Sequence, residues 1–152
     1  MQSLADASVQ QVVIQRMRAL SQNTPPRWGK MTANQMLCHL RDSYLAAFGE
    51  KKVSEMPNVP LRSFIRLLVL YSPTRWPQNL RTRPEVDQTI SGTPPVNFPS
   101  DRESLIAVLQ RFVQYGDRFQ GSSHPVFGRM SERDWLRWGY LHADHHLRQF
   151  GV

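Results

Sequence analysis

Three of the chain's five histidines fall within five consecutive positions, in the stretch His142-Ala143-Asp144-His145-His146-Leu147-Arg148-Gln149. Side chains four apart on a helix lie one turn apart on the same face, so His142 and His146 are spaced to grip one ion. His39, far upstream in a second predicted helix, supplies a third imidazole. Three neutral nitrogen donors suit a borderline divalent cation such as Zn²⁺, Ni²⁺ or Fe²⁺ and leave it with its full positive charge. A metal so held acidifies a bound water, bringing its pKa toward about 7, or a bound thiol, and either becomes a nucleophile near neutrality. The chemistry on offer is therefore a metal-bound hydroxide or thiolate, with no residue marked as the catalytic acid or base.

The same residues have a plainer reading, because a histidine on a half-apolar helical face is commonly a satisfied core residue. His145 lies about 100° around the helix from His146, so His142 with His145 is an alternative chelating pair, one that turns away from Trp138 and Gly139. His124, before Pro125 in a turn, reads as a loop histidine making local hydrogen bonds. Gln149, one turn beyond His146, is placed to orient a ligand ring. Asp144 and Arg148 read as an exposed i, i+4 ion pair, and Trp135 and Trp138 as core. A serine or cysteine nucleophile lacks an elbow motif, and no phosphate-cradling glycine loop occurs.

Five helices are predicted to carry these groups. Val9, Val13, Met17 and Leu20 keep a 3.6-residue period from Leu4 to about Ser21, where Pro25-Pro26 stops the first helix. Thr32 and Gln35 form a capping box that starts a second, whose inward stripe of Met36, His39, Leu40, Ser43 and Ala47 ends at Gly49. Leu61, Phe64, Ile65, Leu68 and Val69 make a short accessory helix. Ser72 to Pro99 holds six of the eleven prolines and reads as a long Pro-rich loop, with Trp76 and Phe98 as anchors for a cover over the bundle. Ser100 and Glu103 read as a second capping box, opening a helix that runs to about Gln120. Ser131 and Asp134 cap the last, which continues to about Phe150, with Trp135, Trp138, Gly139, His142, His146 and Gln149 on one face. Gly139 inside a helix implies close approach of another backbone. No strand pair is predicted, and the fold class is all-α: a four-helix bundle with one short accessory helix.

With 152 residues and an apolar fraction of 40%, the chain is expected to form one domain over residues 1–152. The net charge of +7 is carried mostly by arginines scattered along the chain, a solvated basic surface more than a nucleic-acid groove. A lone cysteine, Cys38, excludes an internal disulfide and fits a reducing compartment. Neither a signal-peptide pattern nor a bilayer-length apolar run is present, which points to a cytoplasmic protein without a membrane partner. Against the metalloenzyme stands an alternative from another class, a non-catalytic helical module whose basic surface meets an anionic partner.

Three blocks carry a family likeness: Trp28-Gly29-Lys30-Met31-Thr32-Ala33-Asn34-Gln35-Met36 leading to His39, Thr82-Arg83-Pro84-Glu85, and His124-Pro125-Val126-Phe127-Gly128 followed by the histidine helix. In these the chain resembles the DinB-like (YfiT-like) superfamily of metalloenzymes, and within it a bacterial branch of unknown function. The resemblance implies a four-helix bundle, often dimeric, in which one histidine of the second helix and an HxxxH pair of the last bind a divalent metal. Carried over by position, those ligands are His39, His142 and His146. Characterised relatives include thiol-dependent S-transferases and an isomerase using a low-molecular-weight thiol, so the resemblance implies a transferase or hydrolase in which the metal activates a thiol or water.

Overall fold

A computed structural model describes residues 1–57, 59–119 and 121–152, with the side chains of Val59 and Pro60 set aside. Among these residues the protein is mostly helical, with five α-helices: α1 (Ala7–Ala19), α2 (Ala33–Ala47), α3 (Val59–Tyr71), α4 (Phe98–Tyr115) and α5 (Glu132–Gln149). None of them is long and apolar enough to cross a membrane.

Local chemistry sets the helix starts. Asp6 caps α1 by accepting from the Ser8 amide, so this helix begins three residues later than its apolar period suggests. At α2 the Thr32 hydroxyl accepts from the Gln35 amide at 3.2 Å, and Gln35 Oε1 accepts from the Thr32 amide at 2.9 Å. Gly49 follows α2 with φ of +77°, the left-handed conformation expected of it. Ser131 and Asp134 form the same reciprocal box at α5, and Met130 and Trp135, flanking that cap, are both buried.

The start of α4 differs from expectation. Asn97, not Ser100, is its cap, accepting from the Ser100 amide at 3.2 Å, and Phe98 opens the helix with Pro99 in its first turn. Phe98 thereby joins the core instead of anchoring a loop. Asp101 is buried, accepts from the amides of Val96 and Asn97, and pairs with Arg41 at 3.6 Å. Beyond Tyr115 the chain tightens into a 3-10 turn over Gly116–Phe119, and Gln120, the expected helix end, lies outside the described residues.

A second correction is a short antiparallel pair, β1 (Ser123–His124) with β2 (Gly128–Arg129), in register His124 to Gly128. Arg62 of α3 anchors it from beneath. Its guanidinium is buried and donates to His124 O at 2.7 Å, to Ser123 Oγ at 3.2 Å and to Glu55 at 2.8 Å. With Arg62 and Leu70 turned inward, Phe64 and Leu68, expected on the inner stripe of α3, are instead exposed.

The core is one cluster in which α2 packs most extensively on α4, while α5 touches α1, α2 and α3. Gly139 of α5 sits at its centre. What approaches it is not another backbone but side chains: an added Cβ would lie 2.8 Å from the Phe112 ring and 3.0 Å from Leu4. The Tyr44 hydroxyl donates to the Gly139 carbonyl at 2.8 Å, tying α2 to α5 one turn before His142.

Candidate metal centre

The packing of α2 against α5 brings His39, His142 and His146 together, each with a ring nitrogen within 4.8 Å of the others'. His39 Nε2 and His142 Nε2 are 3.1 Å apart. Tetrahedral coordination at nitrogen–metal distances of about 2.0–2.1 Å separates ligand nitrogens by about 3.3 Å, so this pair already has ligand spacing. His39 and His146 are buried, and His142 is the member of the three that retains solvent exposure.

The far side of two rings is fixed by acceptors. His39 Nδ1 donates to the carbonyl of Val86 at 2.7 Å, which leaves its Nε2 lone pair turned toward the other imidazoles. His146 Nδ1 donates to Gln149 Oε1 at 2.8 Å, and Gln149 Nε2 in turn donates to Trp28 O at 2.8 Å. Ligating histidines are oriented and made more basic by such partners. Gln149 therefore stands where its spacing suggested. The Val86 carbonyl had no signal in the sequence.

That carbonyl is delivered by a braced segment. Pro84–Val86 forms a 3-10 turn, and Asp42, one turn past His39, ties down the chain beyond that turn: its Oδ2 accepts from the Thr93 amide at 2.7 Å and from Lys51 at 3.3 Å. The Glu85 carboxylate accepts from the Ser54 amide at 3.0 Å. Trp76, from the Pro-rich stretch, lies against the other side, its ring 6.0 Å from His142 and 5.9 Å from His145.

Electrostatics keep these rings neutral. Burial depresses the pKa of His39, and that of His142 and His146 falls well below the ordinary imidazole value because burial is joined by repulsion from the neighbouring rings. Burial, helped by Arg148, brings His145 to about 4. Neutral imidazole is the form that donates a lone pair. His39 Nε2 presents one here, and His142 Nε2, the donor in the 3.1 Å contact, ligates once its proton sits on Nδ1. The donor set thus fits a borderline divalent cation: three neutral nitrogens, two backed by acceptors, and one ring open to solvent.

Four other candidates fall outside the trio. His145 is buried against Trp28, Trp76 and His146, and its Nδ1 has no partner among the described residues. His124 does make local bonds, its Nδ1 accepting from the amides of Val126 and Phe127, but it is buried between Phe127, Trp135 and Trp138 and not on an open loop. Asp144 and Arg148 pair at 2.8 Å, and Arg16 joins them at 2.8 Å, so this is a partly buried triad and not an exposed pair. Cys38 is buried and its thiol is pushed up to about 11 by that burial, the profile of a core residue.

Residues 61–151, more than half of the chain, match the family described as protein of unknown function DUF1569. The chain belongs to that family. The DUF1569 match takes in His124, His142, His146 and Trp76, while His39 on α2 lies upstream of it. No curated protein and no solved structure matches the chain.

Proposed function

We propose that this DUF1569 protein is a divalent-metal-dependent enzyme in which His39, His142 and His146 hold Zn²⁺, Ni²⁺ or Fe²⁺, and that it acts as a thiol S-transferase or a hydrolase on a small electrophilic substrate. The observation that carries the reading is the 3.1 Å approach of His39 Nε2 to His142 Nε2, with the opposite nitrogens of His39 and His146 engaged by Val86 O and Gln149 Oε1. Two buried imidazoles directed at a third cost desolvation that a shared cation offsets.

When bound, the metal acts as a Lewis acid that lowers the pKa of a coordinated water or low-molecular-weight thiol. The chain's own residues do the rest. Val86 and Gln149 hold two rings in the ligating tautomer, Trp76 limits access of bulk water beside His142, and partly exposed His142 faces the side from which a substrate enters. On this reading the protein joins the DinB-like superfamily: α1, α2, α4 and α5 are its four-helix bundle, α3 is the accessory helix, and a cytoplasmic homodimer is the working form.

The test is metal binding by the full chain purified without an affinity tag. Zn²⁺ and Ni²⁺ are expected to bind at one equivalent by calorimetry, with binding abolished in His142→Ala and kept in His145→Ala. Failure of both ions to bind the wild type would sink the reading. Loss in His145→Ala with retention in His142→Ala would move the site to other nitrogens.

A further inference from the structure

Beside the histidines, a cavity of about 210 Å³ opens between Ser72–Trp76 and the side of α5 that carries Arg137, Asp144 and Arg148. At about 30 Å³ per water it has room for roughly seven, enough for an oxyanion attached to a few heavy atoms. Three arginines line it: Arg75, Arg137 and Arg148.

Its charge is unbalanced. Among the described residues the one carboxylate on the wall is Asp144, which already has two guanidinium partners, Arg16 and Arg148, each at 2.8 Å. Arg137 spends its bonds on main-chain carbonyls, donating to Leu70 O at 3.2 Å and to Gln2 O, and among the described residues no carboxylate lies within ion-pair distance of it. Arg75 is exposed at the mouth and likewise lacks an acidic partner among the described residues. Guanidinium forks match the planar or tetrahedral oxygens of carboxylate and phosphate. The Ser72 hydroxyl adds a donor on the same wall.

From this we infer that the cavity is a binding site for a small organic oxyanion, a carboxylate or a phosphate monoester, held by Arg75 and Arg137 with Arg148 alongside. Asp144 orients Arg148 and does not compete for the ligand, because its charge is already matched twice. Trp76 is wall to this cavity and neighbour to His142 at 6.0 Å, so an anion bound here lies next to the candidate metal centre. The inference rests on the arginines and stands whether or not the histidines hold a metal.

It is tested on the full chain by following tryptophan fluorescence during titration with inorganic phosphate and, separately, with succinate. Saturable binding of at least one is expected below about 10 mM, and the anion that binds names the source. Arg75→Gln, which removes an exposed side chain, and Arg137→Gln are each expected to weaken binding at least about tenfold, the loss expected of one charge-assisted bond. Arg111→Gln, whose partner is Glu50 on another surface, leaves it unchanged. His142→Ala also leaves it unchanged. The inference is overturned if neither anion binds, if Arg111→Gln weakens binding as much as Arg75→Gln does, or if His142→Ala abolishes binding while Arg75→Gln spares it. Should Arg137→Gln fail to fold, the Arg75→Gln result decides.

Discussion

His39 Nε2 and His142 Nε2 face each other at 3.1 Å, while His39 gives its only neutral-state proton, on Nδ1, to Val86 O. His39 thus presents a bare lone pair to its neighbour. The arrangement predicts ring tautomers that differ by position: Nδ1–H for His39 and His146, whose Nδ1 atoms donate, and Nε2–H for His124, whose Nδ1 accepts from two amides. Nitrogen-15 NMR of the imidazoles reads this directly. Finding His39 in the Nε2–H form would remove the lone pair on which ligation depends.

Acid should destabilise the protein earlier than its carboxylates alone require. The folded pKa of His124 is lowered from 6.5 to about 3, chiefly by burial and secondarily by Arg62. The unfolded chain therefore takes up this proton first as pH falls. Its contribution to stability is complete above about pH 6.5 and is lost progressively down to about pH 3, at about 1.4 kcal/mol per pH unit for each proton taken up. In His124→Asn, where an amide oxygen can still accept from the Val126 and Phe127 amides, the melting temperature is expected to fall less steeply between pH 7 and 4. Parallel curves for the two proteins would show that His124 is not held neutral.

Gly139→Ala sets two effects against each other. Alanine gains about 0.5–1 kcal/mol of intrinsic helix stability. Against that, the new Cβ meets Phe112 at 2.8 Å and Leu4 at 3.0 Å, well inside the 3.5–4.0 Å optimum, and such overpacking costs about 1–3 kcal/mol. The Phe112 ring has no room to retreat, with Tyr44 at 4.9 Å and Phe119 at 4.8 Å. A net loss of about 1–2 kcal/mol is expected, lowering the melting temperature by about 2–8 °C. A rise in melting temperature would mean the contact is looser than the structure has it.

Gln149 separates orientation from ligation. Gln149→Ala removes the acceptor for His146 Nδ1–H and the donor to Trp28 O, and is expected to weaken Zn²⁺ binding by about 10–100-fold without changing the stoichiometry. Gln149→Glu restores an acceptor at the same reach, and Zn²⁺ binding returns to within about tenfold of the wild type. Equal affinities for Gln149→Ala and the wild type would assign Gln149 to holding the Arg27–Trp28 segment alone.

What could be read from sequence was local and periodic. The caps at Thr32 and Ser131 each depend on two side chains three apart, and the inward face of α5 depends on a count along one helix, so both were visible. Asn97 was hidden because Ser100 and Glu103 also spell a capping box. The structure chooses Asn97, since Pro99 then occupies the first turn, where its missing amide proton is not needed. The two-residue strands at His124 and Gly128 are too short to show alternation. At the centre, the three histidines and Gln149 were legible from spacing. The Val86 carbonyl was not, because every residue carries one and only the bracing by Asp42 and Thr93 selects it. The burial of His145 comes from Trp28 and Trp76, partners distant in sequence.

The most direct measurement is X-ray absorption at the zinc edge on the full chain loaded with one equivalent of Zn²⁺. Three imidazole nitrogens at about 2.0–2.1 Å are expected, falling to two in His39→Ala. A shell of oxygens without imidazole scattering, or a spectrum unchanged by His39→Ala, would contradict a site built from His39, His142 and His146.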